Sequence, residues 1–251
     1  ADTGDERWAF VPSFVLPNMY KLADKDYPNA HNFFLDGSPV AGDVYVGGVW
    51  KTILVGGQNA GGRGYYALDI TDPTAPQFLW EFTNTNLGLT FGNPKITKLK
   101  DGTWVVLVSS GYNNVTPGDG VGRLFVLNAA TGALIRTIST GVGSAATPSG
   151  LAKIETFVDN TSVDNTTKYV YGGDLLGNLW RFDINGDVGA AGFDAQRLVT
   201  LVDAGGVPQS ITAKPVPSTI GGTVVVLVGT GQLIGISDLV TTQQQSFYAV
   251  K

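Results

Sequence analysis

The hydrophobic positions of this chain gather in short β-branched runs that stop at glycine. Four such runs stand at 50–57, 104–111, 168–173 and 223–229. Each is too short for a buried helix and rich in Val, Ile, Leu, Tyr or Trp, so each predicts a strand. Three are followed by a glycine turn and a second strand that closes on Asp or Asn: Gly64-Tyr-Tyr-Ala-Leu-Asp69, Gly122-Arg-Leu-Phe-Val-Leu-Asn128 and Gly177-Asn-Leu-Trp-Arg-Phe-Asp183. The fourth leads to Gln245-Ser-Phe-Tyr-Ala-Val250. Asp69, Asn128 and Asp183 are expected to bond the amides of the turns that follow them.

A further strand is predicted before each run, at 36–43, 91–97, 146–152 and 212–216, and another after three of them, at 77–82, 134–138 and 197–202. The closing residues Asp69, Asn128 and Asp183 set a repeat of roughly 55 to 60 residues. Four short antiparallel strands repeated at that period form the blade of a β-propeller, where neighbouring blades bury one another's faces. The expected fold is therefore all-β, a single propeller region over 1–251 with about four to five blades or part-blades. Residues 1–12 read as the end of a preceding blade, 33–83, 90–140 and 145–203 as blades, and 210–251 as a last blade without its closing strand. The region reads as part of a larger propeller; the alternative is that 1–12 completes the last blade.

Composition supports this and excludes several functions. The 251 residues are 43% hydrophobic, enough for a sizeable core, and 34 glycines with 12 prolines suit many tight turns and little helix. No apolar run is long enough to cross a membrane as a helix, and no basic-then-apolar leader opens the chain. A net charge of −5 without a basic patch argues against nucleic acid as a partner. The absence of cysteine removes disulfides, thiolate metal sites and thiol nucleophiles. His31 is the single histidine, and neither Ser38 nor Ser149 lies in a nucleophile elbow, so a Ser-His-Asp enzyme is not expected. The glycines at 56–64 run into a strand rather than a helix N-terminus, which reads as a hairpin loop and not a phosphate cradle. The five tryptophans read as blade-packing residues.

The turn Thr3-Gly4 followed by Trp8, with echoes from Thr71 to Trp80 and from Thr131-Gly132 to Arg136, resembles the docking motif of quinoprotein-type propellers, which ties blade to blade. A longer set runs through the chain: Trp8-Ala-Phe-Val-Pro12, His31 through Asp36-Gly37, Leu54-Val-Gly-Gly57, Gly61-Gly-Arg-Gly64, Ala67-Leu-Asp69, the stretch 171–183, Gly229-Thr-Gly231 and Gln245-Ser-Phe-Tyr248. Together these are similar to the C-terminal propeller of the PilY/PilC family of type IV pilus assembly and tip-adhesin proteins. The resemblance implies a non-enzymatic module for pilus biogenesis and surface adhesion, located outside the cell at the pilus tip or outer membrane. Its implied partners are minor pilins or other tip components and a host or surface receptor. Two other functions remain in view: a quinone-dependent dehydrogenase-like propeller, disfavoured because such enzymes often use a vicinal disulfide, and a generic protein- or glycan-binding propeller.

Calcium is the one cofactor the resemblance raises, through an acidic loop before the Tyr-Val-Tyr strand. The corresponding stretch, Asn160-Thr-Ser-Val-Asp164-Asn-Thr-Thr-Lys168, keeps one acidic position and puts Lys168 where the closing carboxylate belongs. Even with Asp159 and Asn160, that makes a degenerate loop for an ion needing six to eight oxygens. A second candidate is Asp183-Ile-Asn185-Gly-Asp187-Val-Gly189 with Asp194, whose alternating donors could converge on a hard cation; its alternative is a polar turn that caps its own backbone.

Overall fold

The computed structural model describes residues 4–188 and 191–251. Among these the chain forms four antiparallel sheets, each a meander in sequence order. The first holds β1 (Val40–Val46), β2 (Val49–Gly57), β3 (Tyr65–Asp69) and β4 (Gln77–Phe82). The second holds β5 (Lys95–Lys98), β6 (Trp104–Ser109), β7 (Arg123–Asn128) and β8 (Leu134–Ser139). The third holds β9 (Ile154–Phe157), β10 (Tyr169–Gly173), β11 (Asn178–Phe182) and β12 (Ala195–Thr200). The last has three strands, β13 (Val216–Ile220), β14 (Thr223–Gly229) and β15 (Phe247–Val250), and β15 pairs with β14 alone. The described helical segments are all of the 3-10 type; the longest, Ser13–Ala23, was not signalled by any apolar period.

Consecutive sheets stack through three apolar clusters, and strand periodicity explains the division. On β6, Trp104, Val106 and Val108 face the first sheet, packing with Val55, Trp80 and Phe82. Val105 and Leu107, pointing the other way, join Val170, Trp180 and Phe182 of the third. All six residues of β6 are buried, so an unbroken apolar run is what a strand sandwiched between blades requires. A third cluster, with Tyr171, Leu179, Val226 and Val228, joins the last two sheets.

The first strand of each sheet starts later than the glycine- and proline-bearing segments predict. Residues 146–152 lie before β9, and 91–94 and 212–215 before β5 and β13. Proline offers no N–H to a ladder, so these segments serve as the loops between blades, and β5, Lys95-Ile-Thr-Lys98, is short and polar. These first strands adjoin one another, β1 beside β5, β5 beside β9 and β9 beside β13, and so line the propeller axis.

Residues 4–12 carry no regular strand. They stand beside the first sheet: the Trp8 indole N–H donates to the Pro73 carbonyl at 2.9 Å, Phe10 lies 5.3 Å from the Tyr66 ring, and the Ser13 amide donates to Glu81. Three tryptophans, Trp80, Trp104 and Trp180, are buried as predicted for blade packing. Trp50 departs from that prediction, being 61% exposed on the β1–β2 hairpin with its edge toward Trp104.

Candidate functional site

One of the blade-docking contacts and the two acidic loops meet in the same part of the molecule, the junction between the second and third sheets. The docking position is fixed by register. Trp80 pairs with Ala67, Arg136 with Val126 and Arg197 with Trp180, each beside a bulge in the ladder. Trp80 reaches across to the turn after β7: its N–H donates to Ala129 O at 2.9 Å and its ring lies over Gly132. Trp8 makes the same kind of bond to Pro73 in the turn after β3. Thr3, the start of that motif, lies outside the described residues. At the next junction Arg136 replaces tryptophan and stacks its guanidinium 3.6 Å from the Phe193 ring centroid, in the turn after β11, a cation–π contact that substitutes for indole packing. The turns themselves are held by the strand-closing residues. Asp69 accepts from the Thr71 amide and hydroxyl, and Asn128 from the amides of Ala130 and Thr131, as the sequence pattern predicts.

The third closing residue, Asp183, is 1% exposed and collects four backbone donors: the amides of Asn185 and Gly186 on one oxygen and of Val188 and Phe193 on the other. Burial alone would raise its pKa, but the amide hydrogen bonds outweigh it and the carboxyl sits below its ordinary value. Asn185 ties the turn to its neighbours, accepting from the Lys100 amide at 2.9 Å and donating to Thr167 O at 2.8 Å. Asp194 contributes its main-chain carbonyl to the Asp183 amide. Gly189 lies outside the described residues.

The two loops singled out for calcium, far apart in sequence, line one cavity of about 410 Å³ with Asp159, Asn160, Asp164, Asn185 and Asp187 on its walls. Each of its three carboxylates meets a lysine. Lys98 bonds Asp164 at 2.6 Å, Lys100 bonds Asp187 at 2.9 Å, and Lys168 bonds Asp159 at 3.1 Å. The Lys98 hydrogen bond leads the causes that lower the Asp164 pKa, and Asp159 in turn raises that of Lys168. Asn160 directs its side-chain oxygen to the Ser162 amide. No three acidic or imidazole groups converge as a metal set among the described residues. A calcium ion needs several carboxylate oxygens aimed at one point. Here both oxygens of Asp183 accept from amides, and Asp159, Asp164 and Asp187 each hold a lysine ammonium, so as folded the carboxylates are aimed at separate partners rather than at one calcium position.

Lys98 and Lys100 were not singled out from the sequence. Their positions on either side of Leu99, at the end of β5, were visible, but the partners are some 65 to 90 residues away and only the packing of blade on blade brings them near. His31, exposed, lies between the rings of Tyr27 and Phe33.

Comparison with known proteins agrees with this architecture. Residues 5–251 match the family described as the PilY1 beta-propeller domain. The type IV pilus biogenesis factor PilY1 of Pseudomonas aeruginosa strain PAO1 is 35% identical over 98% of the chain, which spans 23% of that relative's length. A Xylella fastidiosa homolog of PilY1 is 38% identical over 74% of the chain and 13% of its own length. The crystal structure of the P. aeruginosa PilY1 C-terminal domain superposes with a TM-score of 0.81 at 33% identity, covering 98% of this chain and 53% of that one. The blade repeat, the docked tryptophans and a family match over nearly the whole length place this chain in the PilY1 β-propeller family.

Proposed function

We propose that this chain is a non-enzymatic module of the type IV pilus machinery, supporting pilus biogenesis and adhesion at the pilus tip, outside the cell. The observation that carries the reading is the similarity to PilY1 across 98% of the chain in sequence and in fold. Minor pilins or other tip components are the partners this role requires, with a host or surface receptor as the adhesion ligand. That the matching relatives are named pilus biogenesis factors supports a non-enzymatic role. In this reading the junction between the second and third blades is self-sufficient, its lysines replacing a metal.

Deleting the segment that encodes this propeller from its parent gene tests the proposal. Loss of surface pili and of adhesion is expected, with minor pilins recovered on the intact protein but not on the deleted one. Normal piliation and normal adhesion after deletion would overturn it.

A further inference from the structure

A second charged cluster stands on the axis side of the propeller, at the opposite end of β5 from the acidic cavity. It is built by three consecutive blades: Lys95 opens β5, Lys153 and Glu155 flank Ile154 at the start of β9, and Lys214 lies just before β13. Lys95 bonds one oxygen of Glu155 at 2.7 Å and Lys214 bonds the other. That bridge explains itself as a tie between inner strands. Lys153 it leaves unexplained. Its ammonium donates to a neutral partner, Asn93 Oδ1, at 2.7 Å, and it is half-buried beside two like charges. Burial first, then repulsion from Lys214 and Lys95, pulls the Lys153 pKa below its ordinary value. Two lysines share the Glu155 carboxylate and Lys153 stands near both of them, a local excess of positive charge in a chain whose net charge is −5.

An ammonium has three donors, and among the described residues the hydrogen bond to Asn93 engages one of them. The side chains of Lys95 and Glu155 are 20% and 18% exposed, and that of Lys214 is 48% exposed, so the cluster is sheltered yet reachable from solvent. A second anionic group would relieve the repulsion, and charge-assisted hydrogen bonds from ammonium to oxyanion are among the stronger ones available. We propose that Lys95, Lys153 and Lys214 form an oxyanion-binding site at the propeller axis, taking a carboxylate or phosphate group beside Glu155. The site lies apart from the acidic cavity and does not depend on the pilus reading above.

The chain is titrated with inorganic phosphate and separately with acetate, at ionic strength held constant with chloride, while heat of binding and the unfolding midpoint are followed. Saturable binding with a raised midpoint is expected for at least one of the two anions. A response to phosphate alone assigns a phosphate ligand, and a response to acetate assigns a carboxylate. Lys153→Gln should weaken that binding by roughly tenfold, the loss of one charge-assisted hydrogen bond, while Lys25→Gln at an exposed turn leaves it unchanged. Should Lys153→Gln fail to fold, Lys214→Gln carries the same expectation. Neither anion binding beyond chloride, or undiminished binding in the folded lysine variant, would sink the proposal.

Discussion

The indole of Trp80, at the outer strand of one blade, donates to the carbonyl of Ala129 in the next blade at 2.9 Å and covers Gly132. The contact couples two sheets that share no hydrogen-bonded ladder. Gly132 has φ +68°, and a Cβ there would stand 2.6 Å from the Trp80 ring. Glycine is therefore required twice over, by backbone and by space. Trp80→Ala is expected to cost about 3–5 kcal/mol, combining lost burial with a carbonyl left unpaired. Gly132→Ala should destabilise in the same direction. Urea unfolding curves of the two variants measure this, and midpoints equal to the parent protein's would refute the docking role.

Asp174, in the turn after β10, is fully buried and accepts from the Trp180 indole, the Asn178 side chain and the amides of Leu176 and Asn178. Removing the acceptor strands several buried donors at once. Asp174→Ala should therefore cost about 3 kcal/mol or more. The indole emission of the folded variant should shift as well, because Trp180 loses its partner.

Acid sensitivity has a defined direction. Burial opposes ionisation of Asp69, but hydrogen bonds from Lys51 and Thr71 outweigh it and bring its pKa down to about 2. A carboxylate depressed in the folded state adds stability above its unfolded pKa and loses it as pH falls through the folded one. The contribution of Asp69 should thus fade between about pH 4 and about pH 2. In Asp69→Asn the fall in stability over that window should be shallower than in the parent, as read from midpoints of thermal unfolding at stepped pH. An identical slope would remove Asp69 from the acid response.

The lysine-bonded cavity predicts indifference to calcium. Thermal midpoints in millimolar calcium and in chelator should coincide, and no heat of calcium binding should be measured. Replacing Lys98 and Lys168 by Gln frees Asp164 and Asp159, whose partners they are, and should leave a junction that loosens to proteolysis near residues 158–168. A saturable calcium response in the unmodified chain would overturn the substitution of lysine for metal.

Much of the fold was legible in the sequence because a blade strand buried on both faces shows as an unbroken β-branched run, and β6 is the clearest case. The inner strands were placed too early because β5 and β9 are short and polar, and the proline- and glycine-bearing segments before them looked more strand-like than the loops they are. The docking series was half visible. Trp80 announced itself by residue type, while Arg136 needed Phe193, from another blade, before its role could be seen.

What the sequence determined by itself was the repeat: local patterning of four strands, the Asp and Asn residues that close each turn, and the family motifs, all properties of neighbours along the chain. It also identified both acidic loops and the odd placement of Lys168. Only the tertiary structure decided that these two loops face one cavity, that Lys100 lines it and Lys98 bonds its Asp164, and that Lys95 and Lys214 share a single glutamate at the axis with Lys153 nearby. The reason is physical. Charges interact through space at a few ångströms, and the lysines Lys95, Lys98, Lys100 and Lys214 meet carboxylates of a different blade, separated along the chain by about a repeat or more.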